Sequence, residues 1–421
     1  MAALRSGDYS GAETLARRAV AKEPGNSTAL SALAGSLLSR NRPAEAVGVL
    51  RTLDTVRRGS DPGVVRSLLT AMAMAGGLPD AVAECRRRLP KWKTSGVLWG
   101  LFGDLTGQLG ADRKDLALLN EARNAYSKAY ALDPRDVRSG VNAAQAAEMA
   151  GAIAQARALY GAVLRRHPGN AAAHYGLGRL LLSDMSVPEP SRAMSARPHF
   201  EAALAAEPRN PDYAVALGFA LGLSGSDAYP SAIATLRAAL SIAPKDGRAR
   251  RGLVDFLVKS GDRTGALAEQ RRLVADEPDD KEAYQRLAGI LRTMGRDAQA
   301  WDALRAMAKR FPADPLPLKE LGLLLEQAGK LPESEQALRD ALYRAPKDAD
   351  LLTSLGLVIE KAGRRSEAIG RFRDAIVLSP GNEAAHVALI TALAASGDAS
   401  ATQAAREAWV AADPSNNRAR W

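Results

Sequence analysis

The chain holds one cysteine, four histidines and only 5% aromatic residues among 421. With Cys85 alone, no intrachain disulfide can form and no cysteine-rich zinc site is available. Cys85 falls at a core-facing place of an expected helix and reads as a small buried hydrophobe. His167, His174, His199 and His386 stand at loop or repeat positions with no partner at metal-ligand spacing, so no metal and no cofactor is expected. No run approaches the roughly 20 apolar residues that span a bilayer, and no charged start followed by an apolar stretch marks a signal peptide. The expectation is a soluble segment, with the compartment, periplasmic or cytoplasmic, left open. Membrane contact would come only through parts outside this segment. Glycines recur at the ends of expected helices rather than in a phosphate-cradling loop, and no catalytic constellation stands out. The chain therefore reads as something that holds rather than transforms.

What is present is a ladder of prolines: Pro134, Pro168, Pro208, Pro244, Pro278, Pro312, Pro346, Pro380 and Pro414. Six of the eight gaps are 34 residues and the other two are 40 and 36. A fixed period of this length marks stacked repeats. Nine and ten residues after a proline comes an apolar residue and then a small one, as in Leu177-Gly178, Leu321-Gly322 and Leu355-Gly356. Next comes a glycine with an alanine five residues later, as in Gly151 and Ala156, Gly295 and Ala300, or Gly363 and Ala368. Four further on stands a large residue such as Tyr160, Phe200, Leu304 or Phe372. Each unit reads as two short helices joined by a tight turn. Small residues let the helix axes approach where they cross. Glycine ends the first helix with a left-handed cap, and proline stops the second because it cannot continue the hydrogen-bond ladder. Neither helix can bury its apolar stripe alone, so the units must stack.

The pattern resembles the tetratricopeptide repeat (TPR). Tyr284, Leu287, Ala288, Leu291, Ala300, Leu304, Met307 and Pro312 fill the eight signature places of one copy; Leu318, Leu321, Gly322, Leu325, Ser334, Leu338, Ala341 and Pro346 fill those of the next. The resemblance implies an all-α fold: a right-handed superhelical α-solenoid of antiparallel helix pairs. It extends backwards through Phe102-Gly103, Tyr126 and Pro134, then through degenerate copies at Leu68-Leu69 with Cys85 and at Leu33-Ala34 with Leu50. The expected organisation is a second helix of a truncated repeat over 1–24, then about eleven repeats in one continuous solenoid over 25–414. Insertions fall near 111–117, 184–193 and 226–229, and 415–421 would start a further helix or a tail. Pro188 and Pro190 predict that the second insertion is an extended loop. Both ends look cut, as in a segment of a larger, bacterial protein.

Net charge is +10, from 57 basic and 47 acidic residues. The densest basic run is Arg86, Arg87, Arg88, Lys91, Trp92 and Lys93. An anionic surface is its sharp reading, while cations at a helix C-terminus simply suit the dipole; nucleic acid is not the expected partner. The family resemblance places ligand contacts on the first helix of each repeat. Carried onto this chain, it selects Arg138, Gln145, Tyr175, Arg179, Arg248, Arg251, Asp255, Gln285, Arg292 and Lys319. Arg248 and Arg251 lie one turn apart and are expected to reach one bound anion; the bland alternative is that Asp255, Glu282 and Glu148 neutralise these arginines. The lysine and asparagine pairing of chaperone-binding members is missing, since Leu323 follows Lys319 at the relevant place. The implied function is a non-catalytic scaffold for a protein or peptide, with an acidic peptide or an anionic polymer fitting the basic middle. The alanine- and arginine-rich composition suggests bacterial envelope assembly, such as polysaccharide export, pilus assembly or secretion. The alternatives are the substrate-selecting region of a larger enzyme such as a glycosyltransferase, and a domain that dimerises through its ends.

Overall fold

The structure, a computed structural model, describes residues 7–412, so Pro414 and the segment 415–421 lie outside the described residues. The described residues form 23 α-helices and no strand. They divide into two compact units, one ending at Gly225 and the other beginning at Ser226.

The first unit holds α1 (Tyr9–Lys22), α2 (Ser27–Ser39), α3 (Pro43–Val56), α4 (Pro62–Met74), α5 (Leu78–Arg88), α6 (Gly96–Arg113), α7 (Leu116–Leu132), α8 (Val137–Met149), α9 (Ile153–Arg166), α10 (Ala171–Leu182), α11 (Glu189–Ala206) and α12 (Pro211–Ser224). The second holds α13 (Tyr229–Ile242), α14 (Gly247–Lys259), α15 (Arg263–Asp276), α16 (Lys281–Thr293), α17 (Asp297–Arg310), α18 (Leu316–Gln327), α19 (Leu331–Arg344), α20 (Ala349–Lys361), α21 (Arg365–Leu378), α22 (Glu383–Ala395) and α23 (Ala399–Ala412). Within each unit every helix packs on the next, and first helices also touch first helices: α8 with α10, α10 with α12, α18 with α20 and α20 with α22. This is the all-α repeat stack that the 34-residue period implied.

The turns follow from local chemistry. After first helices the chain passes through the left-handed region at Gly295 (φ 68°) and Gly363 (φ 81°). There the amides of Arg296 and Arg364 reach back to the carbonyls of Leu291 and Ile359, closing a Schellman cap. Most first helices open on a side-chain cap just after the proline: Asp280 accepts from the Ala283 amide, Asp348 from Leu351 and Asn382 from Ala385. The acidic pair Asp279-Asp280 thus serves the helix start, as its place after Pro278 suggests.

The core is built from the small and large places of the repeat. Ala156, Ala300 and Ala368 are fully buried, and so are Phe200, Leu304 and Phe372. Phe372 of α21 lies against α20 where Gly356 carries no side chain; a Cβ there would sit 2.5 Å from the ring.

The insertions behave differently from one another. The first lengthens α6 and α7 to 18 and 17 residues, with Lys114 between them in the left-handed region at φ 53°. The expected extended loop at 184–193 is corrected: α11 begins at Glu189, with Pro188 as its N-cap and Pro190 in its first turn. Proline at a helix start forfeits no intrahelical bond, so the two prolines open this helix rather than prevent it. The third is a 3₁₀ turn over Ser226–Ala228.

Gly356→Ala should destabilise the fold by about 1–3 kcal/mol, because the ring of Phe372 must move. Gly370→Ala, in α21 with open space around its Cβ, should instead gain up to about 1 kcal/mol. Guanidinium unfolding midpoints of the two variants would check this; a shift in the same direction for both would contradict the assigned packing.

Candidate functional site

The candidate ligand residues lie along the first helices, and most are tied to a neighbouring helix. In the first unit a relay recurs. The Tyr126 hydroxyl of α7 donates to Asp104 Oδ1 at 3.0 Å, and Arg138 of the next first helix pairs with Asp104 at 3.1 Å. One repeat later, Tyr160 of α9 donates to Glu148 at 3.4 Å and Arg179 pairs with Glu148 at 2.6 Å. Burial and the neighbouring carboxylate push both phenols above their ordinary range. Arg179 also lies 5.7 Å over the ring of Tyr175, which packs on Tyr213 at 4.9 Å and Phe200 at 6.0 Å. The site thus presents the half-buried ring of Tyr175, backed by buried Tyr213 and Phe200, under the Arg179 guanidinium. Gln145 is exposed on α8.

In the second unit Arg248 folds onto Asp246 at 2.8 Å, while Arg251 pairs with Glu277 and, at 2.8 Å, with Asp280. These two arginines, expected to reach one bound anion, are each paired within the chain with a different carboxylate. Asp246 caps α14 and lies within reach of Arg248, while Asp280 caps α16 and lies within reach of Arg251. Neutralising partners do exist, though only Glu148 among those expected acts on a candidate arginine; Asp255 pairs with Arg286 instead. Gln285 donates to Glu320 at 2.9 Å, whose carboxyl burial pushes up. Arg292 is exposed and Lys319 half-buried; neither side chain makes a hydrogen bond or ion pair among the described residues, and the charge of Arg292 partly offsets the upward push on Glu320.

The basic run is similarly engaged. Arg86 pairs with Glu121 at 2.6 Å, Arg87 with Glu84 at 2.5 Å and Arg88 with Asp54 at 2.7 Å, while Lys91 donates to the Gly59 carbonyl at 2.8 Å. These pairs favour the bland reading of that run. Cys85 is buried, and desolvation pushes its thiol up to about 12, so it lacks the thiolate that reactivity requires.

Two features escaped the sequence. Arg250 occupies the place the repeat gives to an aromatic residue; its buried side chain pairs with Glu269 at 2.7 Å and Asp276 at 3.1 Å and donates to the Pro244 carbonyl. His174 and His386 use the same place to bind the carbonyls of Pro168 and Pro380, each at 2.8 Å. An arginine at an aromatic place was the available signal. The second feature is that His174 and His199, 25 residues apart, meet with Nδ1 atoms 3.0 Å from each other. The His174 Nε2 faces a carbonyl and so carries a proton, leaving its Nδ1 to accept from His199. Among the described residues no group of three or more His, Cys, Asp or Glu could hold a metal ion, and no helix is long and apolar enough to cross a membrane.

Stacked helix pairs with a row of outward-facing first-helix side chains define a helical-repeat protein. Two tetratricopeptide repeat family models match it, one over residues 3–71 and 223–291 and the other over 141–189 and 319–383, together more than half of the chain. The chain belongs to the tetratricopeptide repeat family, whose repeats build protein-protein interaction scaffolds. No curated protein matches it in sequence. Among solved structures it is similar to YrrB, described as a TPR protein with an unusual peptide-binding site, at 17% identity and TM-score 0.35 over 45% of this chain and 96% of that one. It is similar also to MamA, at 19% identity and TM-score 0.34 over 40% and 98%, respectively. A third is the C-terminal part of a TPR repeat-containing protein from Cytophaga hutchinsonii, at 16% identity and TM-score 0.43 over 54% and 93%.

Burial, and then the neighbouring His174, hold the His199 pKa below its ordinary value. A neutral imidazole in the fold that protonates when unfolded contributes stability above about pH 6.5, lost as pH falls from there towards the folded value. The wild-type unfolding midpoint should therefore drop between pH 7 and pH 5 by more than that of His199→Gln. Equal drops would remove His199 from the account.

Proposed function

We propose that the chain is a non-catalytic scaffold that holds a partner protein, through an extended segment, along the row of first helices. The observation that carries this reading is the contrast among the groove cations. Arg138, Arg179, Arg248 and Arg251 are ion-paired within the chain, whereas the side chains of Arg292 and Lys319 on α16 and α18 enter no ion pair among the described residues, Arg292 sharing only the field of Glu320. A partner carboxylate gains little from a cation that must first give up its own. Arg292 and Lys319, both in the second unit, are therefore the primary contacts for the acidic part of a bound segment. The arginine- and alanine-rich composition is the support for a bacterial envelope setting.

A pull-down with the full chain would identify the partner. Against that partner, Arg292→Ala with Lys319→Ala should weaken binding several-fold and flatten its salt dependence, since screening acts on solvent-facing charges. Arg248→Ala with Arg251→Ala should change it less. Affinity unchanged in both, with helical circular dichroism intact, would move the partner away from the first helices.

A further inference from the structure

Gly289 stands exposed in the interior of α16. Glycine weakens a helix interior relative to alanine, so its presence there asks for a reason. At Gly178, Gly322 and Gly356 the reason is a neighbour, because a Cβ would run into Phe200, Leu338 or Phe372. At Gly295 and Gly363 it is the left-handed backbone. Neither applies at Gly289, where a Cβ would meet nothing within 4 Å. Gly35, Gly48 and Gly370 are open in the same way, but Gly48 and Gly370 lie on second helices, and the residue one turn after Gly35 is Leu38. One turn after Gly289 stands Arg292. Gln285, Gly289 and Arg292 follow at i, i+4 and i+7 and so form one stripe of α16. Lys319 and Leu323 form the corresponding stripe of α18, Leu323 falling 34 residues after Gly289. The hydrogen bond from Gln285 to Glu320 holds the two stripes side by side. Between the helices the floor is therefore bare backbone beside the half-buried side chain of Leu323. Along the helix axis, Arg292 lies about 4.5 Å beyond the line through Gly289 and Leu323, and Lys319 about 6 Å before it. The acids nearest these two cations are engaged elsewhere: Glu326 pairs with Lys361, and Glu320 accepts from Gln285 while burial pushes its carboxyl towards the neutral form. Glu282 stands two turns before Gly289.

We infer that Gly289 is a notch that seats one large apolar side chain of an extended partner segment whose residues two before and two after it are acidic, an assignment that rests on the scaffold reading and gives one stretch of it a partner chemistry. The spacing agrees. In an extended segment, residues i−2 and i+2 lie on the same side as residue i, about 6.6 Å to either side of it. Those offsets fall within about 2 Å of the positions of Arg292 and Lys319, a difference that two long side chains take up. The central side chain packs on the backbone of Gly289 and against Leu323, and the flanking carboxylates meet the two cations. A side chain at position 289 would occupy the space that the partner's side chain fills, so the missing Cβ selects for size at the centre while the cations select for charge at the flanks.

The test is selection of a random twelve-residue peptide phage library on the full chain, followed by fluorescence anisotropy with synthetic peptides. The expected consensus is Asp or Glu, any, Leu, Met, Phe, Tyr or Trp, any, Asp or Glu. A peptide with the core Glu-Ser-Phe-Ser-Glu should bind about tenfold tighter than Glu-Ser-Ala-Ser-Glu, and about tenfold tighter than Lys-Ser-Phe-Ser-Lys. Gly289→Leu should erase the preference for Phe over Ala while helical circular dichroism stays intact, and Arg292→Ala with Lys319→Ala should erase the preference for Glu over Lys. Gly289→Ala should unfold in guanidinium at a midpoint no lower than the wild type, since the fold itself makes no use of this glycine. A lower midpoint, a preference for Phe that survives Gly289→Leu, or enriched peptides of another pattern would overturn the notch and leave the scaffold reading standing. No enrichment of any peptide would count against both.

Discussion

A pair of 13- or 14-residue helices cannot bury its own apolar stripe, and the rest of this structure depends on that constraint. Each fully buried alanine and ring, such as Ala368 and Phe372, is covered because another helix lies over it. Stability in such an array is a sum of repeat and neighbour terms rather than the property of one central core. The capping of many first helices follows, since a frayed helix end would loosen two interfaces at once. Asp280, Asp348 and Asn382 fix the starts, while Gly295 and Gly363 fix the ends.

The same constraint shapes the polar surface. First helices of successive repeats approach closely enough for long side chains to bridge them, so an arginine facing the groove meets the carboxylate of its neighbour before it meets a ligand. The relays from Tyr126 through Asp104 to Arg138 and from Tyr160 through Glu148 to Arg179 join a second helix, its own first helix and the next first helix. Exposed pairs of this kind contribute little individually. Their effect is geometric, because they hold guanidinium groups in place, as with Arg179 above Tyr175.

What the sequence disclosed follows from this regularity. Glycine and proline act on the backbone within one or two residues, so their 34-residue recurrence announced the helices, the turns and the caps without any tertiary knowledge. Pro188 and Pro190 misled because proline forbids a helix interior but favours its first turn, and local sequence does not say which applies. The candidate site was legible as a set of positions, not as a set of partners. Whether Arg251 faces a ligand or Asp280 depends on a distance across 29 residues. The meeting of His174 with His199 depends on how α10 crosses α11.

Intramolecular pairing also redirects attention from charge to shape. A sequence census of arginines points to the middle of the array, yet those arginines largely cancel against neighbours there. Exposed apolar side chains cannot be cancelled in that way; they are covered by another chain or they remain in water. Leu357 and Val387 are such residues on the first-helix row, set between carboxylates, while Tyr343 and Val377 stand exposed on second helices.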